Sequence, residues 1–148
     1  MSEAKKLFDT AAQHQIIQAI KQAELKTSGE IRLHVSDHCK GKVLDAAAIT
    51  FEKLAMHKTA LRNGVLFFLS VVDHKFAILG DVGINQKVPK DFWEEIKNGC
   101  IASFKKGDMI GGLSEGIIKA GEALATHFPY QRDDVNELSN EISFEDEV

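Results

Sequence analysis

Val65 to Val72 (VLFFLSVV) is a nearly unbroken apolar run, and it constrains the fold more than any other stretch of the chain. It is far too short to span a bilayer, which takes about 20 residues. Its β-branched and aromatic content suits a strand. A strand packed on one side alternates apolar with polar; one that is apolar at nearly every position has both faces covered. A sheet built around it therefore carries helices on each side, in three layers. Asp73–His74 interrupts the run and Lys75 to Gly80 (KFAILG) resumes it, so Val65–Gly80 reads as a hairpin across a two-residue turn.

The flanking segments agree with that frame. Leu7, Phe8, Ala11, Ile16, Ile17, Ile20, Ala23 and Leu25 recur mostly at three or four residues, which predicts one amphipathic helix over 5–25. Glu30 to Asp37 (EIRLHVSD) alternates, with Ile31, Leu33 and Val35 opposite Arg32, His34 and Ser36, and reads as a strand with one buried face. Helical spacing returns over Val43–His57. A strand, helix, strand succession makes the first two strands parallel, and the hairpin makes the third antiparallel. Asp81 to Asn85 reads as a loop, Pro89 precedes a helix over about 90–105, and a last helix over about 110–127 stops before Pro129. The expected fold class is α/β: a Rossmann-like three-layer sandwich with a small, mixed, mostly parallel sheet and helices on both faces.

Charge is unevenly placed. Residues 129–148 hold seven acids against Arg132 alone, and the remaining body is close to neutral. The reading divides the chain into an α/β domain, 1–128, and an acidic C-terminal tail, 129–148, too poor in large apolar residues to bury much. A near-neutral body speaks against nucleic-acid binding; the tail suits a basic protein partner. Residues 1–13 lack the apolar core of a secretory signal. Cys39 and Cys100, the only cysteines, are expected to be free thiols in a reducing compartment. A cytoplasmic monomer without membrane contact is the expectation.

Topology brings distant residues together. Parallel first and second strands start at one rim, and the third strand ends there. Glu30, Arg62–Asn63 and Asp81–Asn85 should meet at that rim, with His127 and the tail nearby. The opposite rim collects Asp37, His38, Asp73, His74 and Asp108. The first rim offers carboxylates and amides with few lysines, a set suited to a hard cation that takes six to eight oxygens. Glu30, Asn63, Asp81 and Asn85 are the candidate metal ligands, and Asp133 and Asp134 are candidates to complete the shell. The plainer reading is that these acids and amides cap turns. Zinc at His34 and His38 is disfavoured, because four strand residues separate them by about 13 Å at the backbone. Cys100 shares an apolar face with Trp93 and Ile96, so it reads as buried and unreactive. No nucleophile elbow and no phosphate-binding glycine loop occurs.

The blocks SGEIRLHV, RNGVLFFLSVVDHKFAILGDVGIN, VPKDFW, FKKGDMIGGLSEGI and HFPYQRDDVNEL occur in the order seen in TPM domains. From Leu7 to Leu138 the chain resembles that superfamily of thylakoid acid-phosphatase-like, photosystem-repair and YgcG-like proteins, above all its stand-alone bacterial members. The resemblance implies a Rossmann-like sandwich and divalent-cation binding, calcium in particular, at loops on one sheet edge. Asn63–Gly64 and Asp81–Val82–Gly83 fall where relatives have the site. It also implies an alternative, metal-assisted hydrolysis of phosphomonoesters, with Asp81 on the metal and Glu30 or His127 carrying the proton. Plant members carry additional aspartates before the second strand and in the loop after the third; this chain reads Arg62–Asn63 at the first place and offers Asn85 and Lys87 in the loop. A metal-free interaction module using the acidic tail is the third reading.

Overall fold

The computed structural model describes residues 2–131 and 137–144. The elements run α1 (Glu3–Leu7), α2 (Thr10–Glu24), β1 (Glu30–Ser36), α3 (Val43–Lys53), a 3-10 turn (Met56–Lys58), β2 (Gly64–Ser70), β3 (Lys75–Gly80), α4 (Val82–Asn85), α5 (Phe92–Lys105), α6 (Met109–His127) and β4 (Ser143–Phe144). The sheet order is β3-β2-β1-β4. β1 pairs parallel with β2 and β4, while β2 and β3 pair antiparallel. This is the mixed, mostly parallel sheet that the apolar run implies.

β2 is buried at every position. On one face Val65, Phe67 and Leu69 join Ile31, Leu33, Val35, Phe76 and Ile78 under residues of α2, α5 and α6. On the other, Leu66, Phe68 and Ala77 meet Ala47, Phe51 and Met56 from α3 and the turn after it. The layers are therefore helix, sheet, helix.

Five local expectations change. Asp81–Asn85, read as a loop, closes into the short helix α4 because the Asp81 carboxylate caps its first turn. The first helix breaks in two, because Asp9 adopts extended backbone and its carboxylate accepts the Ala12 amide at 2.9 Å, starting α2 afresh. The third helix ends before His57, where Ala55 turns to a left-handed φ of 57°. The hairpin loop takes four residues, since Ser70 pairs with Lys75. Val71 and Val72 donate instead to the Ser36 and Asp37 carbonyls, 2.9 Å each, and His74 closes the loop at φ 54°. Finally, β1 is buried on both faces at nearly every position, because β4 flanks it and makes it an inner strand. That fourth strand comes from the acidic stretch, where Ile142 and Phe144 are buried in the core. The apolar residues there are too few to stand out as a strand.

α6 packs between α2 and α5, and glycines set how closely. A Cβ on Gly121 would lie 2.6 Å from Ala23 Cβ and 2.7 Å from Ala23 O, so α2 backbone would have to move. Gly99, within α5, has open space around it. Helix propensity favours alanine over glycine by about 1 kcal/mol at either position. At Gly121 the overpacking cost of about 1–3 kcal/mol outweighs it. Urea unfolding should show Gly121→Ala destabilised and Gly99→Ala stabilised; stabilisation by both would contradict the close α2–α6 approach.

Candidate functional site

The rim where β1 and β2 begin gathers the backbone segments that topology brings together. Glu30 pairs in register with Gly64, and Val65 with Gly80. The Glu30 amide donates to Asn63 O at 3.4 Å, and the Asp81 amide to Gly64 O at 2.9 Å. The side chains then go separate ways.

Asp81 is committed to structure. Arg62 Nε donates to its Oδ2 at 2.7 Å and Arg62 Nη2 to its Oδ1 at 2.8 Å. The same Oδ1 accepts the Val82 amide at 2.7 Å and caps α4. Arg62 reaches this bidentate geometry from a left-handed backbone, φ 51°. Gly83 lets α4 dock beneath it, since a Cβ there would lie 2.2 Å from Leu61 O. Asn85 is exposed and equally engaged: its Nδ2 donates to Gly80 O at 2.8 Å and its Oδ1 accepts Trp93 Nε1–H at 2.7 Å. It ties α4 to α5.

Glu30 and Asn63 are different. Glu30 is 3% exposed and Asn63 1%. Glu30 Oε1 accepts the Leu138 amide at 2.6 Å, while among the described residues Oε2 is buried without a hydrogen-bond partner within normal distance, as is Asn63 Nδ2. Burial pushes the Glu30 carboxyl up to about 7, against the Leu138 amide, with help from the Glu137 charge and a smaller opposing pull from the Glu137 amide. Glu24, at the end of α2, is also pushed up to about 7 by burial, although it accepts the Ile31 amide at 2.8 Å, and the Glu30 charge adds to the effect. Glu137 accepts the Ala60 amide at 3.3 Å. Three acids from α2, β1 and the tail thus crowd one rim. The sequence reading misses Glu24 and Glu137. Glu24 falls four residues after buried Ile20, on the inner side of α2, and that spacing is the signal that marks it.

His127 is exposed at the end of α6. Asp133 and Asp134 lie outside the described residues. Among the described residues, no three His, Cys, Asp or Glu side chains are arranged to hold a metal ion.

The TPM domain family model matches residues 1–123. The chain belongs to the TPM domain family. Among solved structures, the TPM chain is similar to the BA42 protein of the psychrophilic bacterium Bizionia argentinensis, with 43% identity over 97% of this chain and 99% of that one, and a TM-score of 0.88. It also shares its fold with the N-terminal domain of a protein from P. gingivalis, at 17% identity over 88% of this chain and 86% of that one, TM-score 0.68. No curated protein gives a significant match. None of the described helices in this TPM domain is long and apolar enough to cross a membrane.

At the opposite rim, Asp37 accepts the Glu3 and Ala4 amides at 3.2 and 2.8 Å. Asp73 accepts the Cys39 amide at 2.7 Å and meets His38 Nδ1 at 3.1 Å. Asp108 caps α6 through the Gly111 amide at 3.0 Å. Both cysteines are free and buried. Burial pushes the Cys100 thiol up to about 11, and its Sγ donates to Gly112 O at 3.4 Å, so it is protonated and unreactive.

The rim acids set a pH dependence. Glu24 and Glu30 titrate near 7 when folded and near 4.5 when unfolded, so the folded chain holds more protons between those values. Their contribution to stability is complete below pH 4.5 and is lost as pH rises through 7, by at most about 3 kcal/mol each. His34, lowered to about 4 from 6.5 by burial, acts oppositely: its contribution is lost as pH falls through 4. Glu30→Gln isolates one acid. Unfolding free energies at pH 4.5 and pH 8 should show the variant gaining on the wild type at the higher pH. Parallel pH profiles would contradict a proton-retaining Glu30.

Proposed function

We propose that this TPM domain is a cation-binding module that takes a divalent ion, calcium favoured, at the rim where β1 begins, with Glu30 as its anionic ligand. The observation that carries this reading is the buried Glu30 Oε2, which has no hydrogen-bond partner among the described residues. An isolated carboxylate oxygen costs several kcal/mol to bury and calls for a positive neighbour. Glu24 and Glu137 raise the demand for positive charge on the same rim. Calcium fills its shell from carboxylates, amide and backbone carbonyls, and water. Asn63 supports the set, since turning its amide to present the oxygen breaks no bond from its unpartnered Nδ2. Asp81 and Asn85 serve as scaffold, one holding Arg62 and the other Trp93.

The role that follows is binding or regulatory. Leu138 of the tail sits on the other oxygen of Glu30, so cation capture and seating of the tail draw on one carboxylate. Phosphomonoester hydrolysis, the alternative, needs the same cation and an Asp81 released from Arg62.

Calcium titration followed by amide NMR tests the reading. Saturable shifts at Glu30, Ile31, Asn63 and Leu138 are expected, abolished in Glu30→Gln and retained in Asp81→Asn. No change at millimolar calcium, or shifts centred on Asp37 and Asp73, would overturn it.

A further inference from the structure

The opposite end of the sheet carries a second, chemically inverse feature. β1 is the strand from which the chain departs in two directions: to β2 through α3 on one face, and to β4 on its other side after α5 and α6 on the opposite face. In open α/β sheets, the crevice beyond the carboxyl ends of strands at such a switch is where ligands bind. A cleft of about 230 Å³ opens there, on the α3 side, against the second half of β1. α3 packs chiefly over β2 and β3, and its Ile49, Thr50 and Lys53 face this part of β1 across the cleft.

His34, Lys40, Lys53, Ile49 and Phe68 line the cleft, and among the described residues no carboxylate does. Asp73, which bonds the lining residues His38 and Cys39, is taken by the His38 ring and the Cys39 amide. His34 is 4% exposed and stacks on Phe68, ring centroids 5.4 Å apart. Its Nδ1 lies 2.9 Å from Ser143 Oγ on β4. Ser143 is buried, and its hydroxyl has no other partner among the described residues. If Nδ1 carried the proton, the hydroxyl hydrogen would be left buried and unsatisfied. The Ser143 hydroxyl therefore donates to Nδ1, and the ring proton sits on Nε2. Nε2 has no partner among the described residues and His34 lines the cleft, so its N–H is the donor offered there. Burial, aided by the charges of Arg32 and Lys53, holds the ring neutral, which keeps that single donor in place. Ile49 supplies an apolar wall and is 57% exposed, although it is a large aliphatic side chain on a helix.

We infer that the cleft between the end of β1 and α3 binds a small organic anion, its oxyanion head group accepting from His34 Nε2–H beside Lys40 and Lys53 and its apolar body lying on Ile49. This site is independent of the cation rim, which lies at the other end of the strands.

The probes are benzoate, which has both parts, and inorganic phosphate, which has only the head group. Side-chain ¹⁵N and amide NMR are recorded on the full chain. The free protein should show the Nε2–H tautomer at His34. Benzoate should move His34, Lys53 and Ile49 saturably, and bind at least about tenfold more tightly than phosphate. Lys40→Gln with Lys53→Gln, both at exposed positions, should weaken benzoate by about tenfold or more while leaving the spectrum otherwise folded. An Nδ1–H tautomer would remove the donor. Absence of saturable shifts with either anion would overturn the site. Equal affinity for phosphate and benzoate would overturn the apolar subsite, and unchanged benzoate binding in the double variant would overturn the head-group assignment.

Discussion

Every layer of this TPM domain follows from the need to cover β2 twice. A strand whose side chains are apolar on both faces is stable only between two layers, and the chain supplies α2, α5 and α6 on one face and α3 on the other. β1, its parallel neighbour, is pulled into the interior, and β4 seals its far edge. The two ends of the strands are then the places where polar groups collect: Glu24, Glu30 and Glu137 crowd where β1 starts, and where it ends His34, Lys40 and Lys53 line a cleft beside Asp37 and Asp73, which are held by backbone amides.

At the acidic end, two uses of a carboxylate stand a few residues apart. Asp81 has both oxygens engaged by a guanidinium and an amide, so its charge is balanced and it holds α4 in place. Glu30 has the Leu138 and Glu137 amides on its side and no cation among the described residues, so its charge is not balanced. A group in the second condition keeps its proton or acquires a cation. The same contrast separates scaffold from candidate ligand among four residues that look equivalent in the sequence.

The sequence carries the layered architecture because hydrophobic period and turn residues act locally: Val65–Gly80, the β1 alternation and the α3, α5 and α6 stripes are each legible without tertiary knowledge. The break at Asp9 turns on one capping bond, and β4 on two paired residues, signals too small for periodicity to show. The convergence of Glu30, Asn63 and Asp81 at one rim follows from strand directions. Which of their atoms are free does not, because it depends on a left-handed Arg62 and on where Leu138 returns. Burial of His34 was equally invisible: a polar residue on an alternating strand reads as exposed until the flanking strand is known.

The central claim is that Glu30 retains its proton in the folded chain until a cation takes its place. Carbon-13 NMR of the glutamate side-chain carboxyls, titrated with pH with and without calcium, tests it most directly. The account gives Glu30 a midpoint near 7 in the absence of calcium, falling as calcium is added. A midpoint near 4.5 without calcium, or one that calcium leaves unmoved, would contradict it.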